Sequence, residues 1–380
     1  MLLTQCAACA TELGLSSGKK CGRCSTRYCG PECQVQHWKE GGHDQLCKKI
    51  KKAGGAEQYN ANQKYTAAVA VAAEACAEDT KGQTCYICTQ ALHWKTKEGL
   101  VRMCACRGTS GFAHVSCLAE QAKILFAEAE ENNLGNKAFN ERWSRWHTCS
   151  LCEQEYHGVV HCALGWACWK TYVGRPEEDG ALICAITQLG NGLGEAKLYE
   201  DALSVQEAEL AMLQRIGASE QSMLIVQVQG NLAGTYHVLG RSDHALRAYR
   251  DVYSCYLRLH GEAHENTLTA ANNCATSLIA KKLFEDARSL LRRQIPVARR
   301  TLGEQHNLTL KIRKVFARAL YEDAGATVDD LKEAVTTLEE IERTARRVFG
   351  GGHPTTTGIE DALQEAREAL RAREAPPGST

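Results

Sequence analysis

Two patterns of apolar and polar positions divide this chain. From about residue 181 to 372, apolar residues recur at helical spacing almost without a break, which predicts a succession of amphipathic helices. In the clearest stretch one helix is predicted from about Ser222 to Val238, ending near Gly240. A second runs from about Asp243 to Leu259 and stops at Gly261, a residue suited to the left-handed position past a helix end. Pro296 falls inside a predicted helix and is expected to kink it. Before residue 181 the periodicity is interrupted. Residues 53–82 read as a linker passing into an alanine-rich helix (TAAVAVAAEACAED), residues 158–184 as a short Trp- and Cys-containing bridge, and residues 373–380 as a disordered tail.

The helical half repeats internally. GEAHENTL at 261–268 returns 42 residues later as GEQHNLTL at 303–310, and GGHPTT at 351–356 is a weaker third copy. Ala202, Ala245, Ala287 and Ala334 recur in LYEDAL, RSDHAL, FEDARS and LKEAVT at spacings of 43, 42 and 47, the last absorbing an insertion near Asp323–Asp330. Small residues such as Ala233, Gly234 and Ala245 allow close helix approach. A helix pair of this size cannot bury its own apolar face, so stacked neighbours must build the core. The repeat resembles the tetratricopeptide family, in the longer variety of kinesin light chains, over residues 185–372. That resemblance implies a superhelical binding surface for peptides or partner proteins. His264, His306 and His353 recur in its connecting turns and are expected as turn or cap residues, not as metal ligands.

Composition alters the reading mainly in the first half. Of 20 cysteines, 18 precede residue 190, and Cys255 and Cys274 lie beyond it. Formal net charge is zero, so no global field draws the chain to nucleic acid or anionic membrane. The lysine run Lys48, Lys49, Lys51, Lys52 reads as a solvated helix face. No apolar run is long enough for a transmembrane helix, and the start, MLLTQCAACA, lacks the basic and apolar regions of a signal peptide. The expectation is an intracellular protein, cytoplasmic or nuclear, in which closely paired cysteines are metal ligands and not disulfides.

The first cluster offers Cys6-x2-Cys9, Cys21-x2-Cys24, Cys29-x3-Cys33 and His43-x3-Cys47. Eight such donors make two tetrahedral zinc sites with no open position for water or substrate. A core this small needs such staples, each structural zinc contributing on the order of 10–16 kcal/mol. With QVQHWK before the final His-x3-Cys, the pattern over residues 1–52 resembles the MYND zinc finger. The resemblance implies interleaved pairs, Cys6, Cys9, Cys29 and Cys33 on one ion and Cys21, Cys24, His43 and Cys47 on the other, with His37 as the alternative to His43. It also implies binding of short peptides of partner proteins.

The second cluster offers Cys85-x2-Cys88, Cys104-x-Cys106, His114-x2-Cys117 and Cys149-x2-Cys152, again eight donors, with Ala105 and Gly108 allowing the tight bend of MCACRG. His93, His147, His157 and His161 are nearby alternatives, whereas Cys76, Cys162, Cys168 and Cys184 read as buried small hydrophobes. Over residues 83–157 the chain resembles the RING-CH domain. This implies one site from Cys85, Cys88, His114 and Cys117, and another from Cys104, Cys106, Cys149 and Cys152. It further implies an apolar surface of Ile87 and Trp146 that docks a ubiquitin-conjugating enzyme. Glu153 stands where active ligases of this type often carry a cation.

The fold expected is mainly α, with two small cross-brace zinc modules followed by an α-solenoid, and four structural Zn2+ ions. The function expected is a RING-CH-type ubiquitin ligase without a nucleophile of its own, holding substrate through its repeats and MYND finger; the alternative is a non-catalytic zinc-finger and tetratricopeptide adaptor. Partners are proteins, with neither nucleic acid nor membrane expected. A methyltransferase is disfavoured by the lack of a Gly-rich cofactor loop.

Overall fold

A computed structural model describes residues 5–11, 13, 18–219, 222–351 and 353–374; of the tail expected to be disordered over 373–380, residues 373 and 374 end the last helix and the rest lies outside the described residues. The chain is mainly α, with cysteine-rich modules near its start and a helical solenoid at its end, and it divides into two compact units, residues 1–220 and 221–380. No helix among the described residues is long and apolar enough to cross a membrane.

In the first unit a two-stranded antiparallel ribbon, β1 (Lys19–Lys20) and β2 (Arg27–Tyr28), precedes helices α1 (Pro31–Lys39) and α2 (His43–Lys52). The alanine-rich segment forms α3 (Ala56–Ala75), burying Ala61, Tyr65, Val69 and Ala72 on one stripe. A largely irregular stretch follows, then α4 (Val115–Glu131), α5 (Asn136–Trp143) and a 3-10 turn over Ser144–Trp146. Next come α6 (Gly158–Tyr172), α7 (Gly180–Glu195) and α8 (Tyr199–Arg215).

The reading of residues 158–184 as a bridge is corrected by α6. From Val160 to Trp169 every side is buried, because the segment is apolar all round and packs against α3, α4 and α7 at once. Glycines set the α6–α7 distance. A Cβ on Gly192 would lie 2.8 Å from the His161 carbonyl oxygen and 3.0 Å from Cys162 Cα; one on Gly165 would lie 3.0 Å from the Gln188 carbonyl oxygen. Aromatic rings tie α4 and α5 to α6: Phe126 lies 4.6 Å from Phe139 and 4.8 Å from Trp143, and Trp146 lies 5.8 Å from Tyr172.

The second unit is a succession of antiparallel neighbours: α9 (Met223–Val238), α10 (Ser242–His260), α11 (Glu265–Ala280), α12 (Phe284–Leu302), α13 (Asn307–Tyr321), α14 (Val328–Phe349) and α15 (Pro354–Glu374). Each packs on the next, and α11, α13 and α15 also stack in order, which is the layered core the sequence period requires. The recurring alanines Ala245, Ala287 and Ala334 are fully buried, as is Ala202 in the first unit. Gly261, Gly303 and Gly350 end α10, α12 and α14. Gly261 is not left-handed helical, as expected from the sequence, but has φ 77° and ψ 176°, a region essentially open only to glycine. Pro296 does not interrupt α12, which runs on through it to Leu302 with Val297 and Ala298 buried beyond it. The three repeating histidines start helices. Nδ1 of His264, His306 and His353 accepts the N–H of Asn266, Leu308 and Thr355 at 3.2, 3.3 and 3.1 Å, doing the work more often given to Ser, Thr, Asn or Asp.

Candidate metal centres

The four Cys-x2-Cys pairs adopt one backbone turn. In each, the first cysteine's N–H donates to the carbonyl five residues on, and the residue four places on donates back to that cysteine's carbonyl. The distances are 2.8 and 3.0 Å for Cys6, 2.8 and 2.9 Å for Cys21, 3.0 and 2.8 Å for Cys85, and 2.9 and 3.0 Å for Cys149. Closing this turn places Ala10, Ser25, Thr89 and Glu153 at φ of 56–61°, which non-glycine residues seldom adopt. The knuckle so formed turns both sulfurs to one side. Four of the other eight donors sit on helices. Cys33 lies on α1; His43 and Cys47, four apart, share a face of α2; His114 precedes α4 and Cys117 lies in its first turn.

These elements bring the sixteen donors into four interleaved groups. Cys6, Cys9, Cys29 and Cys33 form one, and Cys21, Cys24, His43 and Cys47 the second. Cys85, Cys88, His114 and Cys117 form the third, and Cys104, Cys106, Cys149 and Cys152 the fourth; within each, all ligand atoms lie within 4.8 Å of one another. Zinc holding sulfur at about 2.3 Å in a tetrahedron sets sulfurs about 3.8 Å apart. The separations agree: Cys21 to Cys47 is 3.9 Å, Cys106 to Cys149 is 3.8 Å, Cys9 to Cys29 is 3.5 Å and Cys29 to Cys33 is 3.4 Å. These are far beyond the roughly 2.05 Å of a disulfide.

The histidines enter by different nitrogens. His43 Nε2 lies 3.4 Å from Cys24 Sγ. His114 Nδ1 lies 3.3 Å from Cys88 Sγ and 3.6 Å from Cys117 Sγ, while its Nε2 faces the Ala91 carbonyl at 3.4 Å, the outer contact that fixes a ligand's tautomer. Crowded thiols need a cation to ionise together: a hydrogen bond from Thr11 draws Cys9 down to about 6, whereas neighbouring Cys29 pushes Cys33 up to about 12. A divalent ion held by four donors resolves that conflict and leaves no coordination position for a substrate.

The alternatives go elsewhere. His37 Nδ1 lies 3.0 Å from the Tyr28 hydroxyl, His93 Nδ1 is 2.8 Å from Thr96 Oγ1, and His161 Nε2 is 2.7 Å from Gln188 Nε2. Neither His147 nor His157 joins a donor group among the described residues. Cys76, Cys162 and Cys168 are buried and Cys184 is half-buried. The expected docking pair is corrected. Ile87 is 37% exposed, but Trp146 is fully buried in the aromatic cluster with Trp143 and Tyr172, so the two do not form a common apolar surface.

Two features escaped sequence reading. Gly111, at φ 88°, allows Cys106 to approach, since a Cβ there would lie 2.6 Å from Cys106 Cβ and 2.8 Å from its sulfur. Residues 93–98 form a fifth turn of the knuckle type without cysteines. His93 N–H donates to the Glu98 carbonyl at 3.1 Å, Lys97 N–H returns to His93 at 2.9 Å, and Lys97 has φ 60°. Only a pattern of turn geometry, absent from the H-W-K-T letters, would have revealed it.

Comparison with known proteins places two of these regions. A family model described as MYND finger matches residues 6–47, and one described as tetratricopeptide repeat matches residues 223–293. No curated protein matches the chain. Among solved structures, a protein from Podosopora anserina named for kinesin light chain and nearly identical TPR-like repeats is 16% identical, covering 62% of this chain and 98% of its own, with a TM-score of 0.42. BtubC (BKLC) from P. vanneervenii is 14% identical, covering 70% of this chain and 93% of its own, with a TM-score of 0.41. The MYND finger and the Cys/His groups indicate zinc binding at four candidate sites, in a chain that also carries tetratricopeptide repeats.

Proposed function

We propose that this chain is a non-catalytic adaptor. Its zinc sites shape binding surfaces, and its MYND finger and repeats each hold a segment of a partner protein. The observation that carries this reading is the donor arithmetic: four closed groups of four leave no open metal position, in a chain whose two matched families are both protein-interaction modules. All sixteen donors are assigned as ligands, four Zn2+ per chain. The test has two parts. Native mass spectrometry of the whole chain should count four zincs. A peptide array should yield two classes of bound peptide that do not compete; one class only, or none, would remove the adaptor reading.

A second reading has its own support. The interleaved groups of residues 85–152 and half-exposed Ile87 suit a RING-CH-type ubiquitin ligase. Buried Trp146 and Glu153 after the last ligand speak for a finger kept for binding alone. Self-ubiquitination with a panel of conjugating enzymes, lost in Ile87→Ala at unchanged zinc content, would favour the ligase; silence across the panel would leave the adaptor.

A further inference from the structure

The turn of residues 93–98 mounts a tryptophan at the edge of a groove that belongs to neither matched family. Trp94, one place past His93, is 68% exposed, an unusual setting for so large an apolar ring. Its mount is rigid. Besides the two backbone bonds, His93 Nδ1 accepts the Thr96 N–H at 3.2 Å, and the His93 ring packs 5.3 Å from that of His114. Glu98 accepts from Ser116 N–H at 2.7 Å and Ser116 Oγ at 2.8 Å. The turn is thus pinned to the third donor group on one side and to α4 on the other. An exposed aromatic on a backbone already held in place leaves only its own side-chain freedom to lose on contact, which suits a binding hot spot.

Trp94 faces a half-open groove of about 880 Å³ walled by α3, α4 and α6. Tyr65, Lys95, Glu120, Lys123 and Lys170 share its lining, three lysines against one carboxylate. Lys170 is the informative one. Its ammonium lies 3.8 Å from the Tyr65 ring centroid, and burial pulls its pKa down. The nearby acid, Glu98, is engaged by Ser116, and no carboxylate reaches Lys170 within ion-pair distance among the described residues. The Lys123–Glu120 pair, at 3.5 Å and well exposed, is weak. The groove therefore presents unpaired positive charge beside an apolar anchor.

We propose that this groove docks an extended acidic segment of a partner protein, with an apolar residue against Trp94 and carboxylates toward Lys95, Lys123 and Lys170. A nucleic acid suits the groove less well: single strands bind through successive aromatic platforms, and Trp94 is the one exposed aromatic in the lining, Tyr65 and His93 being buried. The site goes beyond the adaptor reading, in which the MYND finger and the repeats carry the partners, and it would stand if they carried none.

The test uses the full chain with zinc and a fluorescein-labelled peptide of roughly a dozen residues, Glu and Asp interspersed with Leu. A Gln/Asn copy and an oligouridylate of equal charge are the controls. Polarisation should show binding of the acidic peptide alone, weakening with salt. Trp94→Ala and Lys170→Gln should each reduce affinity at least about 10-fold at unchanged zinc content. Trp94→Phe should recover part of it, and Lys81→Gln, on an exposed pair elsewhere, should change nothing. Absence of binding, equal binding by the groove variants, or tighter binding of the oligouridylate with the same residue dependence would each overturn the proposal.

Discussion

The Tyr28 hydroxyl and His37 Nδ1 lie 3.0 Å apart, edge to face with ring centroids 5.7 Å apart, so the histidine that the spacing leaves as an alternative ligand already has a partner. His43 is fully buried and turns Nε2 to Cys24. His43→Ala should therefore reduce the zinc count of the whole chain by one in native mass spectrometry. His37→Ala should keep every ion and cost about 1 kcal/mol for one lost hydrogen bond. Loss of zinc from the His37 variant would reverse the assignment.

Gly192 and Gly194 occupy the same helix with opposite surroundings. A Cβ at Gly192 meets the backbone of α6, which cannot swing aside, whereas one at Gly194 meets nothing within 4 Å. Gly192→Ala should destabilise by about 1–3 kcal/mol. Gly194→Ala should be neutral or stabilising by up to about 1 kcal/mol, the helix-propensity gain. Urea unfolding with zinc in excess reads both; equal effects would refute the close approach.

Removing a histidine cap should weaken its helix. His306→Ala is expected to lower stability by about 1 kcal/mol, and His306→Asn to restore most of it, since asparagine caps the same N–H groups. Hydrogen exchange in the first turn of α13 measures this locally; unchanged protection would mean the Nδ1 contact contributes nothing.

Glu209 on α8 sets a pH dependence. Burial raises its carboxyl from an ordinary 4.5 to about 8, Thr187 donates to Oε1, and Oε2 has no partner. The folded state thus holds a proton that the unfolded state releases. The stability this group contributes is full below about pH 4.5 and is lost as pH rises towards 8. Glu209→Gln stays neutral, so its stability relative to the parent should improve steadily from pH 5.5 to 8 in urea titrations. The thiolate donors titrate in both proteins and cancel in the difference; parallel curves would show that Glu209 is charged in the folded state.

What was legible depended on the range of the interaction. The 42-residue period exposed the repeats because glycine, alanine and histidine recur at fixed turns and contacts, and spacing of cysteines exposed the donors because a knuckle is local. The segment at 158–172 gave no amphipathic signal, since a helix covered on all sides has no polar face to alternate with. Trp146 was misplaced because its burial depends on the rings of Trp143 on α5 and Tyr172 on α6, the latter at a separation the local spacing does not encode. The 93–98 turn has the knuckle's hydrogen bonds without its letters.

Because α6 is covered by α3, α4 and α7 together and begins six residues after Cys152, the second Cys/His module is not a cassette that recombination could lift out at its last donor. A transplant that ends there would carry Phe126 and Trp146 away from Tyr172 and leave both sides of the cut with bare aromatic surface. The smallest heritable piece includes the helix that follows, and descendants that shuffle this module should be found to carry that helix with it.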